Sequence, residues 1–281
     1  MNELFYRSIM VCRYRLRDRI WNRRLYFTAV VFLAYLYLNE EGLLDFAKQC
    51  QVGITPFVFP FLSSDWICQM ILSGYFLWLV SDLCSSRESD DFVRVRAGKR
   101  AWKLGNCQAM FFCAAMYTLV LIAVSSLLLL PCVEFSAEWG KCWNTLARTN
   151  AAIQFNIQMQ IQPMVIRLHQ PVEAVFWSGL LQFLCLLWLS LLMYLLNDWS
   201  GKSIGIYTAM AFVFLDVLLS NTMQEAFYVF SPITLAQLGN YTPATLQYGL
   251  SLERAVLFYL AGITVFSGGI LCRIRKKERV Q

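Results

Sequence analysis

The 281-residue sequence has little charge, almost no histidine and no paired cysteine motif. Charged residues make up 15% of it and His169 is the single histidine, whereas hydrophobic residues make up 58% and the mean hydropathy is +0.50. Its ten cysteines include no Cys-x-x-Cys pair and no metal-site spacing. The low charge and high hydropathy exclude a soluble globular domain and predict an all-α, multi-pass membrane protein.

Catalytic and nucleotide-binding motifs are also missing. The sequence contains no His-Glu-x-x-His, no Gly-x-Ser-x-Gly and no Gly-x-x-x-x-Gly-Lys-[Ser/Thr] loop, because Gly201-Lys202-Ser203 has Leu196 where the first glycine belongs. We therefore predict a protein that is not an enzyme, with no catalytic, cofactor-binding or metal-binding residues. Any ATP would be bound by a partner subunit.

Six apolar segments predict six transmembrane helices. They lie at about 25–38, 66–83, 109–130, 174–196, 204–220 and 255–272. The first is short against the roughly 20 residues that cross a bilayer core, and it ends before Glu40 and Glu41. Residues 25–281 thus form the predicted membrane domain, with an external region at 131–173 and short surface helices between the fifth and sixth spans.

Lysine and arginine mark the cytoplasmic side. The segment 1–24, the loop 84–106, the turn 197–203 and the C-terminal tail contain 19 of the 24 basic residues. By the positive-inside rule both termini are cytoplasmic. The net charge of +6 therefore indicates topology and contact with membrane lipid, and not a nucleic-acid partner. The predicted location is the cell membrane, more specifically a bacterial plasma membrane.

Residues 1–24 predict an amphipathic helix that lies at the membrane interface. Its apolar positions recur at helical spacing on one face: Phe5, Ile9, Cys12, Leu16 and Ile20. Arginines occupy the other faces, as is typical of helices near anionic headgroups. A disordered basic tail is the alternative.

Two features of the external region leave alternatives open. Residues 153–162 alternate apolar and polar side chains with a period of two, which predicts a strand that either pairs with another chain or peptide or caps the outer face. Cys132 and Cys142 both lie in this region, so a disulfide between them is a second open alternative.

The segment 87–102, RESDDFVRVRAGKRAW, is the most charged part of the sequence. Asp90 and Asp91 precede Phe92 as an acidic helix start would, and Gly98 follows as a helix end. This pattern predicts a short amphipathic helix on a cytoplasmic loop, which a soluble partner is able to bind. The alternative is a solvated basic loop that only sets topology.

The sequence here resembles ABC-2-type permeases, the membrane subunits of a class of ABC transporters. The resemblance rests on Arg-x-Gly-Lys-Arg-x-Trp at 96–102 between the second and third spans. The amphipathic N-terminal segment, the short turn NDWSGKSIGI at 197–206 and the Ser231-Pro232 break between the fifth and sixth spans agree with it.

The resemblance implies a dimer of six-span subunits, formed with a second copy or a homologue. Each subunit would press its loop 84–106 into a separate ABC ATPase subunit. The residues expected to couple the chain to that ATPase are Glu88, Asp91, Phe92, Arg94, Arg96 and Trp102. The implied function is ATP-driven export, and the aromatic, uncharged spans favour an amphipathic or lipid-like cargo such as an antimicrobial peptide.

Asp216 is the exception among nearly uncharged spans. An acid inside a span is costly and usually functional, so it is a candidate residue of the substrate path, or the centre of an intramembrane enzyme. The alternative is a carboxyl near the outer interface that is hydrogen-bonded or hydrated. A membrane scaffold or sensor subunit that transports nothing is the alternative function.

Overall fold

The computed structural model describes residues 2–20, 23–84, 88–200, 203–222 and 225–278. Arg87, Gly201 and Lys202 lie outside the described residues, and so do the side chains of Ile20 and Glu88. The sequence-based expectations for those groups stay predictions.

Thirteen α-helices form within the described residues. They are α1 (Asn2–Ile20), α2 (Arg23–Cys50), α3 (Phe59–Ser64), α4 (Trp66–Val80), α5 (Glu88–Ala97), α6 (Lys99–Leu128), α7 (Gly140–Arg148), α8 (Ala151–Gln154), α9 (Pro163–Leu168), α10 (Pro171–Ser200), α11 (Ile204–Thr222), α12 (Pro243–Gln247) and α13 (Leu252–Glu278). Short 3₁₀ helices lie between them at Ser81–Cys84, Leu130–Cys132, Glu225–Phe230, Thr234–Ala236 and Leu238–Asn240.

Six of these helical segments are long and apolar enough to span a membrane, which confirms the predicted six-helix membrane protein. They are Leu25–Cys50, Trp66–Cys84, Lys99–Leu128, Pro171–Ser200, Ile204–Thr222 and Leu252–Cys272. The helix α10 is central. Of its most apolar 18-residue stretch, 72% is buried inside the protein, whereas the corresponding stretches of α6, α11 and α13 are 22% buried or less. The helices α4, α6, α11 and α13 all pack on α10.

Two of the long helices extend further than the hydropathy predicted. The helix α2 does not end near Leu38 but continues to Cys50, because Glu40 is turned into the bundle and buried while Glu41 stays exposed. The helix α6 begins at Lys99 instead of near Ala109. Its 30 residues span about 45 Å, more than the roughly 30 Å of a bilayer core, so its first turns extend beyond the membrane.

The helix α1 packs against these first turns of α6. Its Ser8 and Val11 approach Gly105 so closely that a Cβ there would lie 2.6 Å from Val11 Cβ. The predicted amphipathic helix is present, but its apolar face is buried only in part. Cys12 is buried in the protein, whereas Phe5 is 60% exposed and Ile9 43% exposed.

The predicted strand at 153–162 is wrong. The segment contains the end of α8 and then an irregular stretch, with Asn156 at φ +51°. This left-handed residue breaks the alternation, so residues two apart do not share a face: Ile153 is 80% exposed and Met159 only 2%. Phe155 packs edge-on against Phe46 of α2, so the segment covers the outer end of that helix.

A compact cap of short elements closes the outer side. The six residues of α3 are all buried, and Phe61 stacks on Trp143 of α7 with ring centroids 4.7 Å apart. The indole of Trp143 donates to the carbonyl of Thr55. In the described residues, the pair Ile54 and Val133 forms the isolated β-bridge of the structure.

The cysteines of the outer region are free thiols. Cys132 and Cys142 are not bonded to each other. Burial, and next the neighbouring Cys50 thiol, raises the pKa of Cys142 to about 12. A thiol of that pKa stays protonated at neutral pH and is a poor nucleophile.

We predict that the turn between α10 and α11 tolerates no side chain at Gly205. A Cβ there would lie 2.1 Å from the carbonyl oxygen of Met193, so Gly205→Ala must displace α11, at a cost of about 1–3 kcal/mol. Thermal unfolding in detergent measures this as a lower melting temperature.

Gly74→Ala in α4 is the matched control, since a Cβ there meets no atom within 4 Å. The control should unfold at the wild-type temperature or above, because alanine is the better helix former. Equal melting temperatures for the two variants would contradict the close packing.

Candidate functional site

A buried ion pair fixes α5 to the membrane bundle. The guanidinium of Arg15 in α1 lies 2.6 Å from the carboxylate of Asp90 in α5, and the two side chains are 5% and 4% exposed. A second nitrogen of Arg15 donates to the carbonyl of Leu83, at the end of the second span. The guanidinium carbon also lies 5.3 Å above the ring of Trp102 in α6. Arg15 therefore joins α1, α5, α6 and the cytoplasmic end of the second span.

Further contacts of Arg15 support the pair in this buried setting. An ion pair removed from water needs good geometry and further hydrogen bonds to offset its desolvation. Arg15 obtains these from Leu83 and from the face of Trp102, an arrangement that favours arginine over lysine. Loss of Asp90 would remove the carboxylate that lies against the buried guanidinium of Arg15.

A second buried contact lies one residue further along α6. The ammonium of Lys103 is 2.8 Å from the carboxylate of Asp198 in α10 and 3.1 Å from the carbonyl of Ile270 in α13. Asn106, one turn on, donates to the hydroxyl of Tyr194 in α10. The first turns of α6 are thus tied to both α10 and α13.

The opposite side of α5 is exposed. Phe92 is 80% exposed and Val95 83% exposed, although both are apolar. Asp91 and Arg96 flank them on the exposed side, and Arg94 is half-buried. This face is an apolar pair bordered by charges, which is the composition of a small protein-binding surface.

Gly98 separates α5 from α6. Its φ of +84° is a left-handed conformation that glycine adopts at little cost. A cleft of about 380 Å³ lies beside it, between the start of α6 and the first turns of α1. The cleft is lined by the basic residues Arg7, Lys99 and Arg100 and by one acid, Glu3, which pairs with Arg7. The exposed face of α5 therefore adjoins a basic surface.

Trp102 differs from the other predicted coupling residues. It is 6% exposed and lies beneath Arg15, so it supports α5 from behind and is not part of the exposed face. Asp91, Phe92 and Arg96 do lie on that face. No pattern in the sequence distinguishes Arg15 or Lys103 from the other basic residues. Two adjacent acids, Asp90 and Asp91, were visible, but nothing in the sequence shows which one points inward.

Asp216 lies at the outer end of the bundle and is fully buried. One carboxylate oxygen accepts from the hydroxyl of Thr234 at 2.6 Å and the other from the amide of Gln237 at 2.8 Å. Tyr259 of α13 donates to the carbonyl of Pro232 in the same outer segment. Asp216 and Tyr259 thus hold the segment 231–241 on the helices. Both carboxylate oxygens of Asp216 have protein partners in this conformation.

Metal binding has no support in the described part of the chain, where no group of three or more histidine, cysteine or acidic side chains is placed to hold an ion. Comparison with known protein families, with curated proteins and with solved structures found no match to this chain. The candidate site is accordingly defined by its geometry: a short helix, exposed on one side and locked by buried charges on the other.

We predict that the Arg15–Asp90 pair contributes strongly to stability. Arg15→Ala or Asp90→Ala alone should cost about 3–5 kcal/mol, because each breaks a buried ion pair by removing one of its two charges. The double variant should lose less than the sum of the two. Melting temperatures of the four proteins in detergent give this double-mutant cycle.

The exposed pair Glu3–Arg7 is the matched control, with 2.5 Å between its charged groups. Its side chains are 78% and 49% exposed, so replacing either by alanine should leave the melting temperature almost unchanged. Additive effects at Arg15 and Asp90, or effects as small as the control's, would show that the buried pair is not a structural anchor.

Proposed function

We propose that this chain is the membrane permease subunit of an ATP-driven ABC exporter, and that α5 couples it to a separate ATPase subunit. The observation that carries the proposal is the two-sided character of α5. Phe92 and Val95 are more than three-quarters exposed, while Asp90 on the other side is held by Arg15. A helix built in this way presents a binding surface and transmits displacement to what lies behind it.

The exposed face has the chemistry of a docking site. Burial of its two neighbouring apolar side chains against a partner would favour binding. The charges of Asp91 and Arg96 at the edge of the face would give specificity. The basic cleft beside Gly98 adds positive charge next to the same surface. An ATPase groove with an apolar floor and an acidic rim would be complementary to it.

The contacts behind α5 supply a route for movement. Asp90 acts on Arg15, which contacts both the end of the second span and Trp102. Lys103, next to Trp102, acts on α10 and α13. A displacement of α5 therefore reaches four of the six spans through side chains that are already in contact, without a flexible connection.

The proposed subunit functions as a dimer, and the lipid-facing helices leave surface for a second copy. In α6 and α11 only 22% of the most apolar 18-residue stretch is buried within the chain, and in α13 only 17%. Gly268 of α13 has no atom within 4 Å of a Cβ position, so a helix of the second copy is able to approach it closely. Export of an amphipathic or lipid-like cargo along such an interface belongs to the proposal.

Co-purification with ATPase activity tests the proposal. The tagged chain is isolated from its native membranes in mild detergent, and ATP hydrolysis by the eluate is measured. We expect activity with the wild type and a loss of about tenfold or more with Phe92→Ser/Val95→Ser, because each lost apolar contact costs roughly 1–2 kcal/mol of binding.

The matched control is Phe135→Ser/Ile153→Ser. These residues are 84% and 80% exposed and lie in the predicted external region, so the control should behave as the wild type. An ATPase that co-purifies but is not stimulated by the chain would favour the scaffold or sensor function. A wild-type chain that elutes without any ATPase would overturn the proposal.

A further inference from the structure

The helix α2 carries an acid in the middle of its buried face. Glu40 is fully buried, with Leu36, Leu43 and Ala47 around it on the same side of the helix. It lies 15 residues after Leu25, where the membrane-length segment begins, which is roughly 22 Å along the axis. That distance is within the roughly 30 Å of hydrocarbon that a bilayer presents.

Neither carboxylate oxygen of Glu40 has a hydrogen-bond partner among the described residues. The basic residues of the predicted outer side provide no counter-charge, because all of them are exposed: Lys48, Lys141, Arg148, Arg167 and Arg254. An ionised carboxylate without a donor or a cation is one of the costliest groups to bury. A carboxylate in this position needs a positive charge.

Buried polar side chains of two other helices also lack hydrogen-bond partners among the described residues. Asn39, the residue before Glu40, contacts the thiol of Cys68 in α4 at 3.5 Å. Gln69, next to Cys68, is fully buried, and neither atom of its amide has a partner among the described residues. Two more side chains are fully buried with polar atoms that have no partner among the described residues: Ser73, one turn further along α4, and Gln182 of α10. The thiol of Cys68 contacts both Tyr35 and Asn39, which places this part of α4 against α2 one residue before Glu40.

The nearby titratable groups are acids or neutral groups. Asp65 caps α4, where one oxygen accepts from the backbone of Ile67 and Cys68, and the other accepts from the backbone of Gln160. Tyr35 donates to the sulfur of Cys68. None of these groups carries a positive charge that would balance Glu40.

The second buried acid of the bundle gives the contrast. Asp216 accepts two hydrogen bonds, from Thr234 and Gln237, and donors of this kind stabilise a carboxylate in its charged form. Glu40 has no such donor. The two acids are equally buried, so the difference in their partners decides their charge.

We propose that Glu40 is a proton-binding site. In this conformation its carboxyl holds one proton and is a neutral acid on the buried face of α2. The proton comes from hydronium and returns to water, so the exchange needs no other reactant. Because Glu40 is sealed from bulk solvent in this conformation, exchange with bulk water requires the surrounding helices to move. This inference does not depend on the proposed function.

Infrared spectroscopy of the folded protein tests the proposal. A protonated carboxyl has a C=O stretching band well separated from the bands of carboxylates. At neutral pH the wild type should show this band, and Glu40→Gln should lose it, since the amide keeps the shape of the neutral acid without its carbonyl band. Asp216→Asn is the matched control and should keep the band unchanged.

The result that overturns the proposal is a wild-type spectrum without the band at neutral pH, or a band that survives in folded Glu40→Gln. A band that sodium or potassium ions remove from the wild type would also overturn it, because a metal cation and not a proton would then occupy the site. Should Glu40→Gln fail to fold, the wild type grown with ¹³C-carboxyl glutamate decides the question. The band must shift with labelled glutamate and stay in place with labelled aspartate.

Discussion

The arrangement of the predicted cytoplasmic end depends on the contact between Arg15 and Asp90. This ion pair joins α5 to α1, and the other contacts of Arg15 extend to Leu83 and Trp102. With it, a ten-residue helix becomes a fixed element of the bundle, and one of its faces remains exposed. The stacking of Trp102 beneath the guanidinium explains why the Arg-x-Gly-Lys-Arg-x-Trp segment has an aromatic residue at its end: the ring supports the charge that holds the helix in place.

The fold was largely predictable because a membrane simplifies the problem. Spans must be helical and apolar, so hydropathy alone identified six of them, and glycine with flanking charge identified α5. The ends of the spans were less predictable. Hydropathy treats Glu40 as a point where a span stops, whereas the structure turns it inward and α2 continues. The period of two at 153–162 failed because the alternation arose in an irregular segment that has no neighbouring strand to pair with.

The exposed face of the candidate site was predictable from the sequence, but its buried contacts were not. Exposure of Phe92 follows from a short helix that has charges on both sides, which the sequence shows. The partners of Asp90 and Lys103 lie about 70 to 170 residues away along the chain, and no local pattern indicates such distances. Buried acids raise the same difficulty: Asp216 meets two donors and Glu40 meets none among the described residues, and no local pattern around either acid shows this.

The helix α6 joins the cytoplasmic contacts to the outer side of the bundle in one unbroken element. Trp102 and Lys103 lie in its first two turns, and Ser126, near its other end, donates to the carbonyl of Pro56 in the outer cap. In a rigid helix of this length, a small tilt about one end produces a larger displacement at the other end. A tilt of about 5° about its cytoplasmic end moves the outer end of a rod of this length by about 4 Å, which is close to the width of a methyl group. A small rotation at the base is therefore magnified into a displacement at the far side that is large enough to separate a pair of packed helices.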